Sequence, residues 1–288
     1  MYLTTEGKLP FANFSTWYTI TGDGDKTPLL TLHGGPGSGS DYLHSLDRLS
    51  EDGRKIIYYD QLGCGRSPAD SDPSRWTISF FIEELKAVVA ALGLKSFHLF
   101  GQSWGAFLAI QYAAQQPKEL KSLILANPPV DWRLWDTEMI RLASEMPAPY
   151  GEILKRAAET GKEDDPAYPE AYTAFFRKHW IYCPQQTEIP CDVPTEVNFI
   201  MERSVALHTT GSLRDADITP LLPSITVPTL VLSGEYDICT KVMIEKVMTG
   251  LSSAKAILLK DSGHIPNADA PEALNKAIRD FFSEIESR

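Results

Sequence analysis

The chain has 288 residues, 38 of them acidic and 27 basic, for a formal net charge of -11. That acidity argues against nucleic acid and anionic membrane surfaces as partners, while 43% hydrophobic and 23% charged residues describe an ordinary globular protein. The length suits one α/β domain carrying an insertion, or two modest domains.

Residues 28–33 (Pro-Leu-Leu-Thr-Leu-His) and 55–60 (Lys-Ile-Ile-Tyr-Tyr-Asp) are short apolar runs that read as buried strands. From 78 to 92 the apolar spacing is helical, and Gly93 supplies a stop. A further strand covers Phe97-His98-Leu99-Phe100; after residues 101–105 a helix runs through 114, with Pro117 beyond it. Residues 120–126 form the next strand. From 128 to 223 the strand–helix alternation stops. That stretch is aromatic and helix-rich (Trp132, Trp135, Phe175, Phe176, Trp180), with proline breaks at Pro147, Pro149 and over 184–194. Strands return at 228–233 and 254–259, and a helix over 271–285 closes the chain. Short buried strands separated by helices imply a mainly parallel sheet covered on both faces, with ligands at the carboxyl ends of its strands. We therefore expect an α/β core domain of residues 1–127 and 224–288, and a helical cap of residues 128–223 that shapes the substrate cavity over that edge.

Residues 1–7 lack the basic and then apolar segments of a secretory signal, and no apolar stretch approaches a membrane span. The four cysteines (Cys64, Cys183, Cys191, Cys239) lack zinc-ligand spacing and a C-x-x-C pair. Free thiols in a reducing cytoplasm are the expectation, although Cys183 and Cys191 are near enough in sequence to pair in an exported protein.

Gly101-Gln102-Ser103-Trp104-Gly105 lies where the apolar run 97–100 meets the helical pattern from 106. A Gly-x-Ser-x-Gly at a strand-to-helix junction reads as a nucleophile elbow, whose tight turn leaves no room for side chains at the two glycines. A serine hydroxyl needs a base within hydrogen-bond reach and an acid to orient that base. In an α/β-hydrolase these follow in the order serine, acid, histidine. Among the six histidines, His264 lies in the loop after the last strand, where the base belongs. His98 falls inside the elbow strand and reads as packed core; His179 and His208 fall in the expected cap and read as structural, or else as substrate contacts. Asp237 follows the strand ending at Gly234 and reads as the acid, ahead of Glu235, which faces solvent or cap, and Asp261, which is too near His264 in the chain. The expected triad is Ser103, Asp237 and His264.

Acyl transfer also needs preorganised N–H donors for the developing oxyanion. The backbone N–H of Trp104, at a helix N-terminus, is one. The loop His33-Gly34-Gly35-Pro36-Gly37 supplies the other, assigned to Gly35, with His33 bracing the loop. That loop lacks the Gly-Lys-Ser/Thr of a phosphate-binding loop.

The segments His33-Gly34-Gly35-Pro36-Gly37, Asp60-Gln61-Leu62-Gly63-Cys64-Gly65-Arg66-Ser67 and Gly101-Gln102-Ser103-Trp104-Gly105 together resemble the prolyl aminopeptidase (proline iminopeptidase) family of α/β-hydrolases, which includes amino-acid amidases. The resemblance implies that Asp60 and Arg66 brace the loops below the site, and that two glutamates hold the substrate's free α-amine. The chain departs from the family at both glutamates. Ala206 stands in Met201-Glu202-Arg203-Ser204-Val205-Ala206-Leu207, where the family has Met-x-Gly-Pro-x-Glu-Phe, and Ile238 follows Asp237 where a second glutamate is usual. Burying an ammonium without its carboxylates costs several kcal/mol. Glu202 would be a substitute if the segment were helical, since it would then lie one turn from Ala206; the preferred expectation is a substrate with no free amine there, or with an apolar acyl group.

The expected function is a serine hydrolase acting through an acyl-enzyme on an amide or small peptide bond. The alternatives are an ester or lactone hydrolase of a specialised metabolite, and a non-catalytic binding protein on a hydrolase scaffold. The partner is a small-molecule or short-peptide substrate; no metal and no cofactor are expected, and the sequence sets no oligomeric state.

Overall fold

A computed structural model describes residues 2–68, 72–182 and 195–287. Cys183, Cys191 and the proline-rich break over 184–194 lie outside the described residues. The strands are β1 (Thr4–Phe11), β2 (Phe14–Thr21), β3 (Lys26–Leu32), β4 (Arg54–Tyr59), β5 (Phe97–Gln102), β6 (Leu120–Ala126), a small ladder of β7 (Ser204–Val205) with β8 (His208–Thr209), β9 (Thr229–Gly234) and β10 (Ala254–Leu259). Eight of them form one sheet in the order β1-β2-β4-β3-β5-β6-β9-β10. From β4 to β10 all neighbours are parallel; β2 joins β4 antiparallel and β1 joins β2 antiparallel.

The period-two rule explains why the central strands are buried on both sides. In β5, Phe97 and Leu99 enter one core cluster while Phe100 enters the other; in β6, Leu123 and Leu125 oppose Ile124 and Ala126. The first cluster takes helices α1 (Ile78–Ala91) and α2 (Trp104–Ala113). Nine of the ten residues of α2 are buried, which is why this segment is apolar all round.

Between β6 and its sheet neighbour β9 the chain forms α3 (Trp132–Ser144), α4 (Tyr150–Thr160), α5 (Tyr168–His179), α6 (Glu196–Met201) and the β7-β8 ladder. The chain then adds α7 (Lys241–Gly250), α8 (Pro266–Asp269) and α9 (Pro271–Glu286). In α9, Leu274, Ile278, Phe281 and Phe282 fall on one side and pack into the second cluster. Among the described residues, no helix is long and apolar enough to cross a membrane.

The β1-β2 hairpin was absent from the strands expected from sequence. Thr-Thr-Glu-Gly-Lys-Leu-Pro-Phe lies at the sheet edge and is largely exposed, so it carries no buried apolar run to betray it. His98 is packed as expected, with its ring bonded to Ser122 Oγ at 2.7 Å and near Glu286 at 3.2 Å. Burial pushes its pKa down to about 4, with the Arg54 charge adding to the effect.

A buried carboxyl, Glu84 on α1, braces the loop after β4. It accepts from Thr16 Oγ1 at 2.6 Å and from the Leu62 N–H at 3.0 Å, and burial raises its pKa to about 8. The folded chain therefore holds a proton that the unfolded chain releases at ordinary carboxyl pH. The associated stability is complete below that unfolded value and is lost as pH rises towards about 8. Glu84→Gln keeps an acceptor without the charge, so its melting temperature should fall less than the wild type's between pH 5 and pH 8 (round settings at about the two ends of this window). Parallel melting curves for the two proteins would expose the opposite result.

Candidate active site

The elbow is a steric consequence of its sequence. Ser103 has φ 53 and ψ -121, a region that non-glycine residues occupy only under tertiary constraint. Its N–H donates to Ala126 O at 2.9 Å, and its carbonyl accepts from Ala106 and Phe107 at 2.8 and 3.0 Å as α2 begins. A Cβ on Gly101 would collide with the carbonyl oxygen of Gly105, and one on Gly105 with that of Leu32. Both glycines are thus imposed by close backbone approach.

The three expected triad residues come together. His264 Nε2 is 2.8 Å from Ser103 Oγ, and its Nδ1 is 2.6 Å from Asp237 Oδ1. A carboxylate only accepts, so Nδ1 carries the proton and Nε2 presents a lone pair to the serine hydroxyl. All three residues are buried. Asp237 Oδ1 also accepts the Cys239 N–H at 2.9 Å, which orients the carboxylate. Glu235 instead accepts the exposed Asp261 N–H at 3.2 Å, and neither residue bonds to His264.

Residues that sequence reasoning missed hold the His264 loop in place. The carbonyl of His264 accepts from Gln102 Nε2 at 2.8 Å and from Asn127 Nδ2 at 2.7 Å. Asn127 Oδ1 accepts the Gly234 N–H at 3.2 Å, tying that loop to the end of β9, which leads to Asp237. Asn127 follows β6 directly with φ 53, and an asparagine just after a strand at the carboxyl edge was the available signal.

The glycine loop lies against the serine: a Cβ on Gly34 would be 3.3 Å from Ser103 Cβ. The Gly34 N–H is already donated to Tyr42 Oη at 2.7 Å, and Tyr42 donates to Gln102 Oε1 at 2.6 Å. The N–H of Gly35 follows in this loop, where Gly35 has φ 116. Trp104 opens α2 with an N–H that no carbonyl within the helix can take. His33 braces the loop: its Nδ1 meets Gly34 O at 2.9 Å and its Nε2 accepts the Gln61 N–H at 3.0 Å. Asp60 accepts from Ser40 and Arg66. Burial alone would raise its pKa, but His33 and these donors hold it below the ordinary carboxylate value.

The substrate-side expectations fare differently. Helix α6 ends at Met201 and Glu202 caps it, so Glu202 does not stand one helical turn from Ala206. Arg203 has φ 32, and Ala206 and Leu207, at φ 51 and 68, make the turn between β7 and β8. A hairpin has displaced the helix because the chain must reverse there. Ala206 is buried and donates its N–H to Glu163 Oε1 at 2.7 Å; Ile238 is buried beside Asp237. Glu202 is half-buried and accepts from Asn198 Nδ2 at 2.8 Å. Burial and then the Asp136 carboxylate push its pKa up to about 7 against that hydrogen bond. Helix α6 rests on the glycine loop, since a Cβ on Gly37 would be 2.9 Å from Asn198 Cβ.

Asp237, Cys239 and His264 place three donor atoms within 4.8 Å of one another. The Cys239 thiol donates to Asn127 O at 3.2 Å, and burial holds its pKa well above the ordinary value. That disfavours the thiolate a metal requires, and His264 is already engaged at both nitrogens.

A family model of the alpha/beta hydrolase fold matches residues 27–271. A proline iminopeptidase of Lactobacillus helveticus (strain DPC 4571) is 36% identical over 271 residues, covering 90% of this chain and 91% of the relative. The crystal structure of a Mycobacterium smegmatis proline iminopeptidase aligns with a TM-score of 0.90 at 29% identity, covering 98% of this chain and 99% of that one. The crystal structure of VinJ aligns with a TM-score of 0.88 at 32% identity over the same shares, 98% and 99%. By sheet order, elbow and relatives alike, the chain belongs to the proline iminopeptidase family of α/β hydrolases.

Proposed function

We propose that the chain is a serine hydrolase that cleaves an amide or small peptide bond through an acyl-enzyme on Ser103. The observation that carries this reading is the continuous hydrogen-bond line from Ser103 Oγ through His264 to Asp237, at 2.8 and 2.6 Å. His264 takes the hydroxyl proton as Ser103 attacks the carbonyl, then gives it to the departing amine; water repeats the sequence in deacylation. Asp237 stabilises the imidazolium, and the N–H groups of Gly35 and Trp104 receive the oxyanion. Residues 128–223 act as a cap that shapes the acyl pocket.

Ala206 and Ile238 offer no charge to an ammonium group, so the acyl group bound there is apolar or lacks a free α-amine. An ester or lactone substrate is the second reading, favoured by those same two apolar positions. A panel of prolyl and other aminoacyl arylamides, N-blocked arylamides, aryl esters and lactones decides between them. We expect arylamide turnover that Ser103→Ala abolishes, with a free amine giving no advantage. Turnover of esters or lactones alone would replace the first reading by the second. Cleavage confined to free-amine substrates and lost in Glu202→Gln would assign the amine to Glu202. A Ser103 that resists fluorophosphonate labelling would leave a binding protein on a hydrolase scaffold.

A further inference from the structure

The helical insertion between β6 and β9 touches His264 and its loop directly. Helix α5 ends at His179, and the residues that follow it run between the acid loop and the base loop. The His179 carbonyl accepts the His264 N–H at 2.9 Å, and the Trp180 carbonyl accepts the Ile265 N–H at 3.1 Å. The His179 imidazole bonds through Nδ1 to Tyr236 O at 2.6 Å, immediately before Asp237. The Trp180 ring lies 4.6 Å from the His264 ring, centroid to centroid. Tyr182 stacks on Tyr236 at 4.0 Å, and its N–H shares Asp269 Oδ2 with the Gly263 N–H, at 3.0 and 2.8 Å.

We propose that His179 and Trp180 are positioning residues: one dipeptide at the end of α5 grips the acid loop through the His179 side chain and the base loop through two carbonyls and the Trp180 ring, and so sets the His264–Asp237 geometry. This rests on the serine-hydrolase reading above. A backbone carbonyl only accepts, so His179 Nδ1 carries the hydrogen and the imidazole acts as a neutral, single-sided donor. Burial lowers its pKa below the ordinary histidine value, which keeps the ring neutral, and the Tyr236 carbonyl selects the tautomer. Phe175 packs on the ring at 4.9 Å and fixes its plane. The approach is close enough that a Cβ on Gly263 would stand 2.8 Å from His179 O. The end of α5 is therefore joined by hydrogen bonds and ring contact to the Asp237 loop and the His264 loop together.

The donor's position gives the test. His179→Asn keeps an N–H near the site of Nδ1, His179→Gln moves it towards the site of Nε2, and His179→Leu removes it. Two rates are read, fluorophosphonate labelling of Ser103 and turnover of a small aryl acetate. We expect both rates to fall about 10²-fold in the Leu and Gln variants, as for a misplacement on the ångström scale. KM should stay within about threefold, and the Asn variant should keep rates within about fivefold of wild type. Rates in the Leu variant equal to wild type, or an Asn variant as slow as Leu, would overturn the proposal. Should the Leu variant fail to fold by circular dichroism, the Asn and Gln pair decides it alone. A wild-type Ser103 that resists the phosphonate would overturn the serine-hydrolase reading itself, which keeps the two failures apart.

Discussion

Asp237→Asn is expected to lower kcat/KM by about 10⁴-fold while leaving the fold intact. The local hydrogen bonds explain why no orientation of the amide rescues it. Asp237 Oδ1 accepts from both His264 Nδ1 and the Cys239 N–H, while Oδ2 is buried without a hydrogen-bond partner among the described residues. With its oxygen in the Oδ1 position, the asparagine keeps both contacts but buries an orphaned NH2 and loses the charge that stabilises the imidazolium. Turned over, it points donors at the Cys239 N–H and at His264 Nδ1, which drives the imidazole into the tautomer with Nε2–H facing Ser103. The check is kcat/KM on the best substrate of the panel, together with the phosphonate labelling rate, which needs no knowledge of the substrate. A drop of less than about tenfold would remove Asp237 from the charge-stabilising role.

Gly105→Ala is the stability change with the largest expected effect. Its Cβ would meet the backbone carbonyl of Leu32, which lies in β3 and cannot swing aside as a side chain could. Overpacking at a buried backbone contact costs about 3 kcal/mol, and in a chain of 288 residues that lowers the melting temperature by roughly 5 °C. Gly53→Ala is the control: it has φ 82, but among the described residues nothing lies within 4 Å of a Cβ placed there. Only the cost of holding alanine in the left-handed region remains, about 1–2 kcal/mol. Melting curves that rank the two variants the other way round would show that β3 yields and that the elbow is not sterically tight.

Most of the legible strands share one property. Strands β3 to β6 and β9 announce themselves because both faces are covered, so each carries a continuous apolar run; β10 is a largely exposed edge strand that is legible only from its run Ala256-Ile257-Leu258-Leu259, and β1 and β2 stay silent because their hairpin carries no such run. The site divides in the same way. Ser103 and its two glycines answer to a steric rule that spans five residues. Ala206 was visible as a departure from the family, but the spacing that linked it to Glu202 assumed a helix. A tight reversal at Arg203 and at Ala206-Leu207 replaced that helix, and nothing in the local composition forbids either form.

Sequence by itself determined the chemistry on offer: an elbow serine, an acid and a histidine in hydrolase order, a glycine loop, and no charged residue at positions 206 and 238. These follow from rules that act within a few residues. Tertiary structure decided which atoms meet. It brought Ser103 to His264 across 161 positions and Asn127 to His264 across 137, and it laid His179 and Trp180 against the loops that carry Asp237 and His264. Such contacts arise where separately encoded elements pack into one sheet edge, so no local pattern in the chain records them.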